Sequence, residues 1–175
     1  IVAGILIFII AKILKVNISI TKAQFKNTII AGFLFLTFGN GIVVWALKYV
    51  DSGFAALEIS AQPLVVLILM RLLQGKKIST MSYIGVLLDF IGIYLLVSQK
   101  QLISQEGQIT GMIMIFVCMI SWAYGSLFVG KADLPSNYFV NTGYQMLSGG
   151  IMLAIASFCF SETWTLPSTW SVNVQ

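Results

Sequence analysis

The sequence predicts an all-α polytopic membrane protein, a helical bundle, and three observations carry that prediction. The 175 residues are 58% hydrophobic and 9% charged, whereas a soluble domain covers itself with roughly 25% charged residues. The apolar residues fall into long runs separated by short polar joints. The cations sit in those joints, where membrane topology places them. A net charge of +4 distributed in this way is not a nucleic-acid signal.

Ile1–Ala11 reads as the tail of a span, followed by a polar basic loop over Lys12–Lys26. Thr28–Leu47 carries no charge over 20 residues, enough at 1.5 Å per residue to cross a core of roughly 30 Å. Gly53–Met70 and Met81–Ser98 are the next spans, with a polar loop over Gln99–Gln108. Gly107–Gly130 spans again, and Lys131–Asn137 turns at Pro135. Tyr138–Phe160 is the last span. Ser161–Gln175, with Trp164, Pro167 and Trp170, has an interfacial composition. Five whole helices and part of one before them are expected. Soluble core helices can be apolar all round, but five in succession with so little polar sequence between them would have nothing to cover them.

Orientation follows from the cations. With the Lys12–Lys26 loop in the cytoplasm, that side holds Lys12, Lys15, Lys22, Lys26, Arg71, Lys76, Lys77 and Lys131, and the other holds only Lys48 and Lys100. This is the asymmetry of the positive-inside rule. Residue 1 is Ile, the first residues have neither a basic n-region nor a cleavage site, and the end at Gln175 is polar. The chain is expected to be a fragment.

Several chemistries are excluded. There is no histidine, which removes most zinc sites and histidine bases. No GxxxxGK[ST] loop and no aspartate-rich pair is present, so a membrane enzyme is disfavoured and neither cofactor nor metal is expected. Cys118 and Cys159 lie in apolar stretches without CxxC spacing and read as buried thiols.

Carboxylates inside apolar runs are the functional signal, because lipid penalises them. Glu58 lies near one end of its span, with Gln62 at i+4 on the same helical face. Glu58 reads either as a proton-coupling group or anchor for a cationic substrate, or as a protonated carboxyl hydrogen-bonded to a neighbouring helix. Asp89 lies near mid-span, on a face with Ser82, Gly85 and Gly92. Small residues permit close approach, so that face is expected to pack on another helix with Asp89 as a hydrogen bonder. Asn40, between Gly39 and Gly41, marks a loosened helix that exposes carbonyls to a cavity, or else a polar link between helices. Trp45, further along, reads as an interface anchor. Trp122, beside Ser121 and near Gly125, reads as a stacking platform or as packing. Asn141, Gln145 and Ser148 share a face, for a polar path or for interhelical bonds. Pro63, inside its span, predicts a kink suited to a gate.

At ALKYVDSGFAALEISAQPL (Ala46–Leu64) the sequence resembles the EamA-type permeases of the drug/metabolite transporter superfamily, whose third and fourth helices are joined by such a turn and followed by a mid-helix proline, here Pro63. YIGVLLDFIGIYLL (Tyr83–Leu96) is similar to the family's fifth helix through Gly85 and Gly92. SWAYGSLFVGKADLP (Ser121–Pro135) looks like the opening helix of its second repeat. The resemblance implies part of a ten-helix transporter of two inverted repeats. Residues 1–98 would be the end of the first repeat (part of helix 2, helices 3 to 5). Residues 107–175 would be the start of the second (helices 6 and 7 and the following loop). LLQGKK lacks the family's usual glutamate after the fourth helix, which leaves the substrate open. The expected function is an inner-membrane secondary transporter, an exporter of small metabolites or drug-like compounds. The other reading is a non-transporting membrane helper or assembly subunit. The expected partners are a small-molecule substrate and the lipid bilayer, with no nucleic acid and with a homodimer left open.

Overall fold

A computed structural model describes residues 1–75, 79–97 and 107–160, without the side chains of 89, 90, 93, 96 and 97. The loop over Gln99–Gln108 up to residue 106, the cations Lys76, Lys77 and Lys100, and the stretch Ser161–Gln175 lie outside the described residues. Among those described, all regular structure is helical: α1 (Val2–Ile13), α2 (Lys22–Gly32), a π-helical segment (Phe33–Asn40), α3 (Gly41–Ala46), α4 (Ser52–Ser60), α5 (Gln62–Gln74), α6 (Thr80–Val97), α7 (Gln108–Val129) and α8 (Tyr138–Cys159).

Three continuous stretches are long and apolar enough to cross a bilayer: Lys22–Ala46, Ser52–Gln74 and Gln108–Val129. With 22 residues α8 has the length, but Asn141, Tyr144, Gln145 and Ser148 make its first half more polar. The 18 residues of α6 reach about 27 Å at 1.5 Å each.

The basic loop is shorter than the sequence suggests. Helix α2 starts at Lys22, because Thr21 and Gln24 form a capping box in which each side chain binds the other's backbone N–H. That T-x-x-Q arrangement satisfies two orphan donors and draws Lys22 and Lys26 into the helix. Asn137 caps α8 through the N–H groups of Phe139 and Val140. Gly75, at φ +63, closes α5 in the left-handed conformation, which glycine adopts without steric penalty.

Helix α7 is the central post. The π segment, α3, α4 and α5 lean on it, while α8 packs α1, α2 and the π segment. One buried cluster joins Ala46, Val50, Ala55 and Val65 to Ile115, Cys118, Met119 and Ala123 of α7. Such alanine-rich contacts are how helices approach where lipid removes the hydrophobic drive. The closest crossing is Gly32 of α2 over Gly149 of α8. A Cβ on Gly149 would lie 2.8 Å from the Gly32 carbonyl oxygen, and one on Gly32 would lie 2.7 Å from that of Gln145. The outward surface is apolar: Leu72 is 75% exposed and Phe158 81%, and a surface of that kind belongs against lipid.

The ends of the bundle are fastened separately. Gln24 and Asn27 of α2 donate to the Asp133 carboxylate (3.2 Å) and carbonyl (2.9 Å), so the two basic segments expected on one side lie together. At the far end Gly107 and Gly111 pack under Tyr49 and Val50.

Two expectations change here. Among the described residues, a Cβ at Gly85 or Gly92 of α6 meets nothing within 4 Å, and α4 is the element α6 packs on most, so no described helix packs on the face bearing Ser82, Gly85 and Gly92. Cys118 is buried and Cys159 is exposed, both as free thiols. Cys159 falls at the last turn of α8, beyond the reach of α1 and α2.

Candidate transport site

The α4–α5 stretch is one span broken in the middle. Pro63 lacks an N–H and its ring would strike the carbonyl four residues back, at Ile59. The chain yields by ending α4 at Ser60, turning at Ala61 (φ −74, ψ 1), and restarting α5 with Pro63 in its first turn, where proline is tolerated. The break therefore precedes Gln62, whereas the sequence places the kink beyond it. Glu58 and Gln62 consequently flank the turn and do not share one regular helical face. Ala61 N–H bonds the Glu58 carbonyl at 3.1 Å.

Both side chains nonetheless converge on α7. Gln62 Nε2 donates to the Met119 carbonyl at 3.1 Å. Glu58 Oε2 is buried with no hydrogen-bond partner among the described residues, within electrostatic reach of Cys118. A buried carboxylate oxygen without a partner is costly, so this position calls for a proton or a cationic group.

Trp122 lies one turn along α7 from Cys118 and Met119, its indole in the space a Cβ at Gly39 would need and its ring edge-on to Phe35 at 4.9 Å. It is packed between α7 and the π segment. Asn40 is exposed at the end of the π segment. The side chain of Asp89 lies outside the described residues. Trp45 ends its span against Phe160 (4.9 Å) with the Lys48 ammonium 5.7 Å from its ring centroid, as an interface anchor does. Gln145 Nε2 bonds Asn141 Oδ1 at 2.8 Å, and Ser148 Oγ bonds the Tyr144 carbonyl at 2.8 Å. That face of α8 is occupied by packing on α2.

A groove of about 900 Å³ runs between α1, the π segment, α3 and α8, lined among others by Phe33, Thr37, Phe38, Trp45, Leu153 and Phe160. Its volume is that of a small-molecule site. Sequence reasoning missed Thr37, which lines this groove and donates to the Gly149 carbonyl at 3.1 Å. The signal was there, a lone hydroxyl in FLFLTFGN. It missed the role of Ser121 too, whose Oγ donates to the Leu34 carbonyl at 2.8 Å. Among the described residues no three His, Cys, Asp or Glu side chains gather as metal donors.

Lipid-facing helices packed on a central post, with a half-buried carboxylate among them, fit a polytopic membrane protein. The chain belongs to the EamA-like transporter family, whose model matches residues 1–98. It is 35% identical over 144 residues to the uncharacterized inner membrane transporter YedA of Escherichia coli K12, covering 81% of this chain and 45% of that protein. It is 22% identical over 170 residues to the uncharacterized transporter YoaV of Bacillus subtilis 168, covering 95% of this chain and 58% of that protein. The chain thus spans about half the length of the curated relatives it matches. No solved structure matches it. Family, relatives and apolar helices together make it a multi-pass protein of the inner membrane.

Proposed function

We propose that the protein is a secondary transporter that exports small metabolites or drug-like compounds by alternating access. In this reading residues 1–98 and 107–175 belong to opposed repeats and the site lies near the bilayer midplane. The observation that carries it is Glu58 Oε2, buried beside a broken helix with no hydrogen-bond partner among the described residues. A static bundle gains nothing from that oxygen, whereas a transporter uses it to take up a proton or cation on one side and release it on the other. Gln62 supports the site by holding the α5 side of the break to α7. The family and the relatives' names support transport in general; export and the kind of cargo rest on the reading of the site.

The test is uptake into inverted vesicles carrying the intact protein, using a panel of radiolabelled amino acids and the cationic dye ethidium. The wild type should accumulate at least one of these when a proton gradient is imposed, and Glu58→Gln, at equal protein level, should not. Gradient-driven accumulation by Glu58→Gln equal to wild type across a range of pH would overturn the role of Glu58.

A further inference from the structure

The span from Lys22 to Ala46 is not one regular helix. Its middle eight residues, Phe33–Asn40, are π-helical, between α-helical ends. Such segments are rare and occur mostly as single turns, so eight residues of one need support. A ring contact confirms the wider coil: Phe33 and Phe38, five residues apart, stack at 5.9 Å with planes tilted 40°. In an α-helix at about 100° per residue, they would point about 140° apart.

The support comes from two other helices. Ser121 of α7 donates to the Leu34 carbonyl at 2.8 Å, and Thr37 donates to the Gly149 carbonyl of α8 at 3.1 Å. The Trp122 indole fills the space over Gly39, and Leu36 fills that over Gly149. The segment is therefore held from outside by side chains that its own α-helical form would meet at another register. Phe33, Thr37 and Phe38 meanwhile form one wall of the 900 Å³ groove.

We propose that Phe33–Asn40 is a register joint: it exchanges its π-helical form for an α-helical one, turning α3 and re-facing the groove wall, with Ser121 and Thr37 as the positioning residues that hold the π form. The proposal rests on the transporter reading, for which it supplies a moving part. Absorbing the one extra residue into an α-helix rotates everything beyond the joint by about 100° and shifts it about 1.5 Å along the axis. A Cα at a radius of about 2.3 Å then moves about 3.5 Å sideways. The joint stands between helices on either side of residue 98, where two halves of an alternating-access machine would have to slide.

Dipolar EPR on the intact protein in nanodiscs tests this, with one nitroxide on the exposed native Cys159 and the other on Val44→Cys, since Cys118 is buried and unreactive. The wild type should show two distances at least about 3 Å apart. Ser121→Ala and Thr37→Val should each shift the populations about threefold toward the second distance, the effect of one interhelical hydrogen bond in a membrane. Deleting Phe38, which lets the segment become α-helical with α3 still in its first register, should leave only the first. A single distance that neither point variant moves would overturn the joint, whether or not the deletion variant folds. Vesicle uptake separates the two readings. Transport with a single, immovable distance removes the joint and keeps the transporter. Two exchanging distances without gradient-driven uptake of any probe keep the joint and remove the transporter.

Discussion

Replacing Gly149 by alanine is the sharpest test of how the two long helices meet. The added Cβ would lie 2.8 Å from the Gly32 carbonyl oxygen and 2.8 Å from Leu36 Cβ. Ordinary contact begins at 3.4 Å, so α2 and α8 must part by the difference, 3.4 − 2.8 = 0.6 Å, against backbone that has no rotamer to change. Overpacking of this kind costs about 1–3 kcal/mol. The shift also strains the 3.1 Å bond from Thr37 to the Gly149 carbonyl, for which membrane hydrogen bonds suggest about 0.6 kcal/mol. Against this stands the helix propensity of alanine over glycine, about 1 kcal/mol in favour. The net expectation is a loss of about 0.6–2.6 kcal/mol. The matched control is Gly53→Ala, in the first turn of α4, where a Cβ meets nothing within 4 Å; it should be neutral or slightly stabilising. Reversible unfolding in mixed detergent micelles, followed by circular dichroism, reads both. If Gly149→Ala unfolds at the same denaturant fraction as Gly53→Ala, the crossing is not as close as described and the reasoning fails.

Two further outcomes follow from the α7 contacts. Trp122→Ala should lose about 2–3 kcal/mol in the same unfolding assay, less than the roughly 3–5 kcal/mol of fully buried aromatic truncations because the residue is 36% exposed. Trp122→Phe, which keeps an edge for Phe35, should recover more than half of that. Gln62→Leu removes the 3.1 Å bond to Met119 at a cost of less than about 1 kcal/mol. It should therefore leave stability nearly unchanged while reducing vesicle uptake several-fold, and a stable variant with full uptake would take Gln62 out of the site.

The spans were legible because length and apolarity are properties of a run of residues. The end of α2 could also have been read, since TKAQ spells its own cap, but the lysines beside it look like loop. The position of the α4–α5 break was less accessible. Pro63 announces a break, yet which of the preceding residues yields depends on the clash with Ile59 and on what α7 offers in exchange. The π segment was not legible at all. In FLFLTFGN nearly every position is apolar, so no period separates one helical pitch from another, and the deciding groups, Ser121 and Gly149, are about 90 to 110 residues away. For the same reason Glu58 could be singled out as a buried carboxylate, while its neighbour Cys118 could not be named.

The core that joins Ala46, Val50, Ala55 and Val65 to α7 has a consequence in time. The residues that match the family model end at 98, and none of them supplies the other half of that cluster. A ribosome adding about 5–20 residues per second needs a few seconds more to finish α7. Through that interval α3, α4 and α5 stand without the α7 side of this core, and the carboxylate of Glu58 lacks its α7 neighbours. The spans up to residue 98 are thus not packed to completion before α7 arrives. They are held in readiness, and the arrival of α7 both completes the packing and withdraws the charge from view.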